Sequence, residues 1–280
     1  MKKVKVIARA KVNFTLDILG QNNGFHKIKS LVCTIGLNDI VVLKKRNDKK
    51  VILTEKGIKT DCPQEKNNAY KAAQAFIKKY DTNGVDIIIN KRIPLGGGLG
   101  GSSADVSAVL NGMKKLYRIQ EDMSELANEL GSDTAYMLKG GYAVIEGRGE
   151  IITRLPIKTR FYTLLMTADG MVTAGECYKQ FDLLGNSFEE ITDTAVSLLL
   201  AEKTEQFLKV LKNDLYIPAT KINPQIAKNL EILNKYGDSI MTGSGSVTLA
   251  LFNSKKQLNK AYKQLNSKYL GRIIKSKTSI

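Results

Sequence analysis

The chain has 280 residues, 43% hydrophobic and 25% charged, with 23 glycines and 5 prolines; these ordinary globular proportions exclude disordered, fibrous and low-complexity readings. Its 43 basic and 27 acidic residues give a formal charge of +16, which favours polyanionic partners without choosing between nucleic acid, an acidic membrane surface and phosphorylated small molecules. No run approaches the roughly 18 apolar residues of a membrane span, and Lys5, Arg9 and Lys11 interrupt the apolar start before a signal-peptide core can form, so a soluble, cytoplasmic protein is expected. From Val12 the sequence alternates, with Val12, Phe14, Leu16 and Ile18 on one side and Lys11, Asn13, Thr15 and Asp17 on the other, which predicts a strand with one apolar and one polar face. Gln21-Asn22-Asn23-Gly24 carries an Asn-Gly hairpin signal before a strand at 27–33, and further strands are expected at 39–44 and 50–54. Ala69, Ala72, Ala73, Phe76, Ile77 and Tyr80 recur at the spacing of one helical face. A buried strand at 84–90 follows. Val106, Val109, Leu110, Met113 and Leu116 then mark a second helix, and 123–130 a shorter one that Gly131 is placed to end.

Strands are expected at 142–145 and 161–167, and the charged stretch 146–156 between them is read as the domain boundary, giving domains 1–153 and 154–280. Beyond it come helices at about 188–212, at 224–236 (Asn223 as cap, Pro224 at the first position) and at 255–266, with strands at 247–252 and 272–274. Strands and helices mixed without strict alternation predict an α+β fold in two lobes. The three cysteines, Cys33, Cys62 and Cys177, are far apart and accompany a single histidine, so neither a disulfide framework nor a protein-built metal site is expected.

The densest chemistry lies at Pro94-Leu95-Gly96-Gly97-Gly98-Leu99-Gly100-Gly101-Ser102-Ser103-Ala104. Five glycines in six positions remove the side chains that would hold a polyphosphate off the backbone. Successive N–H groups can then curl into an anion nest, and the helix that follows offers its unpaired N–H groups and the positive end of its dipole. Ser102 and Ser103 are placed to cap that helix or touch phosphate oxygens, and Asp105 completes a capping-box-like Ser-x-x-Asp. Gly96-x-Gly98-x-x-Gly101 matches a dinucleotide fingerprint only formally, because the preceding strands lack βαβ spacing; a Walker loop fails because no Gly-Lys-Ser/Thr follows.

At this loop the sequence resembles the GHMP kinase superfamily. Ala10-Lys11-Val12-Asn13-Phe14-Thr15-Leu16 resembles the family's opening strand, and Met241-Thr242-Gly243-Ser244-Gly245-Ser246 its third, glycine-rich motif. A closer likeness is to the 4-diphosphocytidyl-2-C-methyl-D-erythritol kinases: Gly24-Phe25-His26 stands where they have Gly-Tyr-His, and Leu130-Gly131-Ser132-Asp133-Thr134-Ala135 where they have Leu-Gly-Ala-Asp-Val-Pro.

The resemblance implies a ribosomal-protein-like N-terminal ATP-binding domain, an α/β C-terminal substrate-binding domain and an active site in the cleft between lobes. It implies transfer of the γ-phosphoryl of ATP, with Mg2+, to the 2-hydroxyl of 4-diphosphocytidyl-2-C-methyl-D-erythritol. Asp133, with Ser132 capping its helix, would take the hydroxyl proton, and Lys11 would keep that carboxylate ionised and balance charge. Pro94, Gly96, Gly97, Gly98, Leu99, Gly100, Gly101, Ser102 and Ser103 would hold the triphosphate, with Asn67 and Lys91 lining the adenine pocket. Phe25 and Tyr178 would sandwich the cytosine and His26 hydrogen-bond it, with Asn13, Gly243 and Ser244 completing the acceptor site. Thr134-Ala135 and Phe25 depart from the family pattern, which leaves open a kinase of another alcohol, such as mevalonate, homoserine or a sugar, or an inactive paralogue that binds nucleotide or nucleic acid. The Phe25-His26 pair suits a nucleobase. A small-molecule substrate and a monomer or homodimer are therefore expected, with neither membrane nor nucleic acid as partner.

Overall fold

The computed structural model describes residues 2–22, 24–184, 189–267, 269 and 271–280. Its elements run β1 (Lys3–Asn13), β2 (Thr15–Asn22), β3 (Phe25–Lys45), β4 (Val51–Gly57), α1 (Asn68–Tyr80), β5 (Val85–Lys91), α2 (Gly101–Tyr117), α3 (Ser124–Leu130), α4 (Thr134–Met137), β6 (Tyr142–Gly147), β7 (Ile151–Arg154) and β8 (Tyr162–Met166). They continue with α5 (Ala174–Leu184), α6 (Thr192–Leu200), α7 (Thr204–Leu208), β9 (Lys212–Asn213), α8 (Tyr216–Ile222), α9 (Gln225–Asn234), β10 (Asp238–Met241), β11 (Thr248–Phe252), α10 (Lys255–Asn266) and β12 (Ile273–Lys277). This is an α+β fold. No helix among the described residues is long and apolar enough to cross a membrane.

The chain forms two compact units, each assembled from separate stretches: one of residues 1–10, 37–95 and 100–140, the other of 11–36, 96–99 and 141–280. In the first, the second half of β3 pairs antiparallel with β5, from Ile40 opposite Asn90 to Lys45 opposite Val85, and β4 runs parallel along the other edge of β5. Helix α1 starts where Asn67 accepts the Ala69 N–H, and buries the predicted stripe of Ala69, Ala72, Ala73 and Phe76. Gly112 lets α2 lie close to the sheet, since a Cβ there would stand 2.2 Å from the Leu43 side chain.

In the second unit the first half of β3 pairs antiparallel with β2 and β6, and β9 extends β2 in parallel. Strand β6 turns back into β7 as an antiparallel hairpin, so the stretch expected as a boundary at 146–156 begins inside it. A separate antiparallel sheet, ordered β10-β11-β8-β12, packs Leu164, Met166, Ala250 and Phe252 against Leu233 of α9 and Leu258, Ala261 and Leu265 of α10.

The strand around residue 12 departs from expectation in an informative way. Val12, Phe14, Leu16 and Ile18 are buried, and so are Lys11, Asn13, Thr15 and Asp17. A second buried face made of polar groups is tolerable only where those groups are hydrogen-bonded. Thr15 Oγ1 pairs with Thr192 Oγ1 at 2.7 Å, and Asp17 accepts the N–H groups of Ile191 and Thr192, fixing the start of α6.

Other differences are local. The helix expected over 188–212 is two helices, α6 and α7, and its first residue lies outside the described residues, as does Asn23 of the expected turn. Helix α5 and strand β10 were not foreseen. Pro224, expected at the first helical position, is instead the N-cap of α9, and Asn223 ends α8 while its Oδ1 accepts the Gln225 N–H at 3.1 Å.

Candidate active site

Three segments far apart in sequence meet inside the second unit. The Lys11 N–H donates to the Leu99 carbonyl at 2.9 Å, while Ser246 N and Val247 N donate to the Gly96 and Gly97 carbonyls at 3.2 and 3.4 Å. A trans peptide sends its C=O and the next N–H in opposite directions. The N–H groups of Gly97, Gly98 and Gly100 therefore face away from those protein partners, which is the polarity an anion cradle needs. Gly98 is required here twice over. Its φ is +70°, and a Cβ would lie 2.1 Å from the Thr242 carbonyl oxygen.

Asn13 is the hub of this convergence. Its Oδ1 accepts from Lys11 Nζ at 2.8 Å, from the Gly243 N–H at 3.1 Å and from the Thr242 hydroxyl at 3.2 Å. Its backbone N–H donates to Thr242 Oγ1 and its Nδ2 to Ser30 Oγ, at 2.9 and 2.8 Å. Ser30 in turn donates to the Thr15 carbonyl. Asn213 holds the glycine motif from the other side, donating to the Met241 and Gly243 carbonyls at 2.8 and 2.9 Å. Ser244 lies partly buried in the same turn. Asn13 thus anchors Lys11 to Gly243, which is more than the acceptor contact expected of it.

Within the first unit the glycine loop runs into α2, whose N-cap is Gly100. This corrects the expected cap: neither Ser102 nor Ser103 occupies that position, and Asp105 closes no capping box. With no side-chain oxygen at the cap and no acidic residue in the first turn, the N-terminal N–H groups and dipole of this 17-residue helix suit an anionic ligand. The loop and helix start therefore fit a triphosphate. Ser102 Oγ accepts from Asn68 Nδ2 at 3.1 Å. Ser103 faces Gly131, where an added Cβ would stand 3.7 Å from its hydroxyl, so the start of α2 and the turn carrying Asp133 are neighbours.

Asp133 itself, rather than Ser132, is the N-cap residue of α4; it caps through its backbone carbonyl, which accepts the Met137 N–H, and its carboxylate makes no cap bond. Thr134 and Ala135, the two departures from the family pattern, are buried in that helix. Thr134 Oγ1 has no hydrogen-bond partner among the described residues. Replacing an unpaired buried hydroxyl with an apolar group of the same shape is neutral to stabilising, so Thr134→Val should leave Tm equal or slightly raised, as thermal unfolding would show.

Two expected adenine contacts have other occupations. Asn67 caps α1 with its Oδ1, and its Nδ2 donates to Glu55 Oε1 at 3.0 Å. Lys91 is buried, and its ammonium donates to Asp39 Oδ2 at 2.7 Å and Asp105 Oδ2 at 2.6 Å. Both side chains are engaged inside the first unit. Burial pushes the Asp105 carboxyl up to about 7 against the pull of Lys91.

The expected base-binding residues also regroup. His26 stacks on Tyr178 with ring centroids 4.5 Å apart and planes at 17°. Its Nε2 lies 2.7 Å from Asp182 Oδ1 and 2.8 Å from Gln21 Nε2. That nitrogen is engaged within the protein, so a base would meet the other ring nitrogen or the backbone. Phe25 is half exposed, with the Arg148 guanidinium 3.7 Å from its ring centroid. Asp182 was missed by the sequence reading, although it stands one helical turn after Tyr178 on α5. Asn213, Ser30 and Asp39 carry no local signal at all.

The model of the GHMP kinases N terminal domain matches residues 67–143, and that of the GHMP kinases C terminal region matches residues 195–271. The chain belongs to the GHMP kinase family and is an ATP-dependent kinase of a small molecule. It is 32% identical over 271 residues to the 4-diphosphocytidyl-2-C-methyl-D-erythritol kinase of Syntrophomonas wolfei, covering 94% of each chain. It is 34% identical over 273 residues to the kinase of the same name from Clostridium botulinum, covering 94% of this chain and 96% of that one. In fold it is similar to a crystal structure of 4-(cytidine 5'-diphospho)-2C-methyl-D-erythritol kinase, with TM-score 0.82 at 24% identity over 99% of this chain and 100% of that chain. The homoserine kinase of Cytophaga hutchinsonii shares the fold at TM-score 0.76 and 17% identity, over 100% of this chain and 95% of that chain.

Proposed function

We propose that this chain transfers the γ-phosphoryl group of ATP to the 2-hydroxyl of 4-diphosphocytidyl-2-C-methyl-D-erythritol, the cytidyl-linked alcohol in the names of its full-length relatives. The observation that carries the choice of acceptor is the stacked pair of His26 and Tyr178, with ring centroids 4.5 Å apart. Flat rings, one bearing an imidazole, suit a pyrimidine base and have no counterpart in what mevalonate or homoserine requires. Stacking a base on such a ring is worth about 1–3 kcal/mol.

ATP supplies the phosphoryl group, and Mg2+ bound with it would offset the charge of its phosphates. The N–H groups of Gly97, Gly98 and Gly100 and the start of α2, with Gly96, Leu99, Gly101, Ser102 and Ser103, bind and orient the triphosphate. Pro94 fixes the entry to the loop. Asp133 takes the proton of the attacking hydroxyl, and Lys11, steadied by Asn13, balances the charge that develops on the transferred group. Gly243 and Ser244 flank the acceptor; its oxygen bonds to the γ-phosphorus as the bond from that phosphorus to the β,γ-bridging oxygen breaks, and ADP leaves carrying the bridging oxygen.

We assign residues 1–153 to an N-terminal and 154–280 to a C-terminal domain, in keeping with family matches at 67–143 and 195–271 that fall one on each side. A cytoplasmic monomer or homodimer is the form in which we expect it to act. The cytidyl reading is tested by competition: CMP or CDP should displace the acceptor with a matching inhibition constant and leave ATP binding in place. Failure of cytidine nucleotides to compete would refute it.

A further inference from the structure

Lys91 ends β5, three residues before Pro94, and its side chain is 3% exposed in a chain whose other basic residues are mostly solvated. Taking an ammonium out of water is costly unless carboxylates and further hydrogen bonds meet it. Here they do. Asp39 accepts Lys91 Nζ with one oxygen, and with the other the backbone N–H groups of Arg92 and Ile93 at 2.5 and 2.8 Å. Asp105, the fifth residue of α2, accepts the same ammonium from the far end of the loop.

One buried cation therefore ties the last residues before the glycine loop to the first turns of the helix after it. Between these ties Gly96, Gly98 and Gly100 sit at φ of +60°, +70° and +66°, with no side chains of their own to fix the path. Two carboxylates against one ammonium is also an expensive set to bury, and one Asp105 oxygen has no partner among the described residues. Such sets are weak contributors to stability and are replaced by apolar residues with little loss of it, so their value has to lie in the geometry they specify.

We propose that Lys91, Asp39 and Asp105 are positioning residues: a buried clamp that sets the spacing and direction of the two ends of the phosphate loop, through which Lys91 acts on ATP without touching it. The inference rests on the reading that this loop holds the nucleotide phosphates.

The test compares the unaltered chain with Lys91→Met/Asp105→Leu, which replaces the ion pair by apolar side chains of similar volume. The expected result is a folded protein whose Tm is lowered, because Asp39 stays buried without its cation, with a KM for ATP raised by roughly tenfold or more and a KM for the cytidyl acceptor changed by less than about twofold. A folded double variant whose ATP KM stays within about twofold overturns the clamp. Should the double variant not fold, Asp105→Asn, which keeps the shape and one acceptor oxygen, is measured in the same way, and an unchanged ATP KM there overturns it equally. Calorimetric titration of the unaltered chain with ATP separates the two ideas: no binding overturns the phosphate-loop reading and the clamp with it, whereas equal binding by unaltered and variant chains overturns the clamp alone.

Discussion

Asp133→Asn is expected to lower kcat by about 10²–10⁴-fold, the usual contribution of a positioned acid–base group, while the KM for ATP changes by less than about twofold. The substitution preserves shape, and the helix that follows is capped by the Asp133 carbonyl, not by the carboxylate. A loss of turnover at unchanged Tm reports chemistry and not a collapsed turn. A loss confined to kcat is the pattern of an interaction made mainly in the transition state. Steady-state kinetics with the acceptor varied at saturating ATP checks this, and turnover within about threefold of the unaltered enzyme removes Asp133 from the reaction.

Asn13→Leu should be the most damaging single change to the framework of the site. It deprives Lys11 Nζ, the Gly243 N–H and the Thr242 hydroxyl of a shared acceptor, and Ser30 Oγ of a donor. Leaving buried polar groups unpaired costs about 1–3 kcal/mol each, more where one is charged. A loss of about 3 kcal/mol lowers Tm by roughly 10 °C for a chain of this size. Turnover should fall as well, because Lys11 loses its bond to Asn13. Thermal unfolding with activity measured below the transition separates the two effects. An unaltered Tm would show that the Asn13 network is not what joins Lys11 to the glycine motif.

Much of this was legible in the sequence, for reasons that differ from element to element. The stripe from Ala69 to Phe76 and the loop from Gly96 to Gly101 announce themselves through spacing and composition, and both form as expected. The polar side of the first strands was legible only as polar. That Lys11, Asn13, Thr15 and Asp17 are buried depends on partners 177 and 229 residues away, Thr192 and Thr242, which no local pattern encodes. Lys91 misled in the same way. The family resemblance implies a place lining the adenine pocket, and only the folded chain reveals that its ammonium lies between Asp39 and Asp105. The compact units resist linear reading too, since each collects three separate stretches of chain.

The measurement that bears most directly on the whole account is transfer from γ-labelled ATP by the purified protein to a panel of alcohols: 4-diphosphocytidyl-2-C-methyl-D-erythritol, mevalonate, homoserine and a sugar. The account predicts labelled product from the cytidyl diphosphate acceptor alone. Label on mevalonate, homoserine or the sugar with none on the cytidyl compound would contradict it.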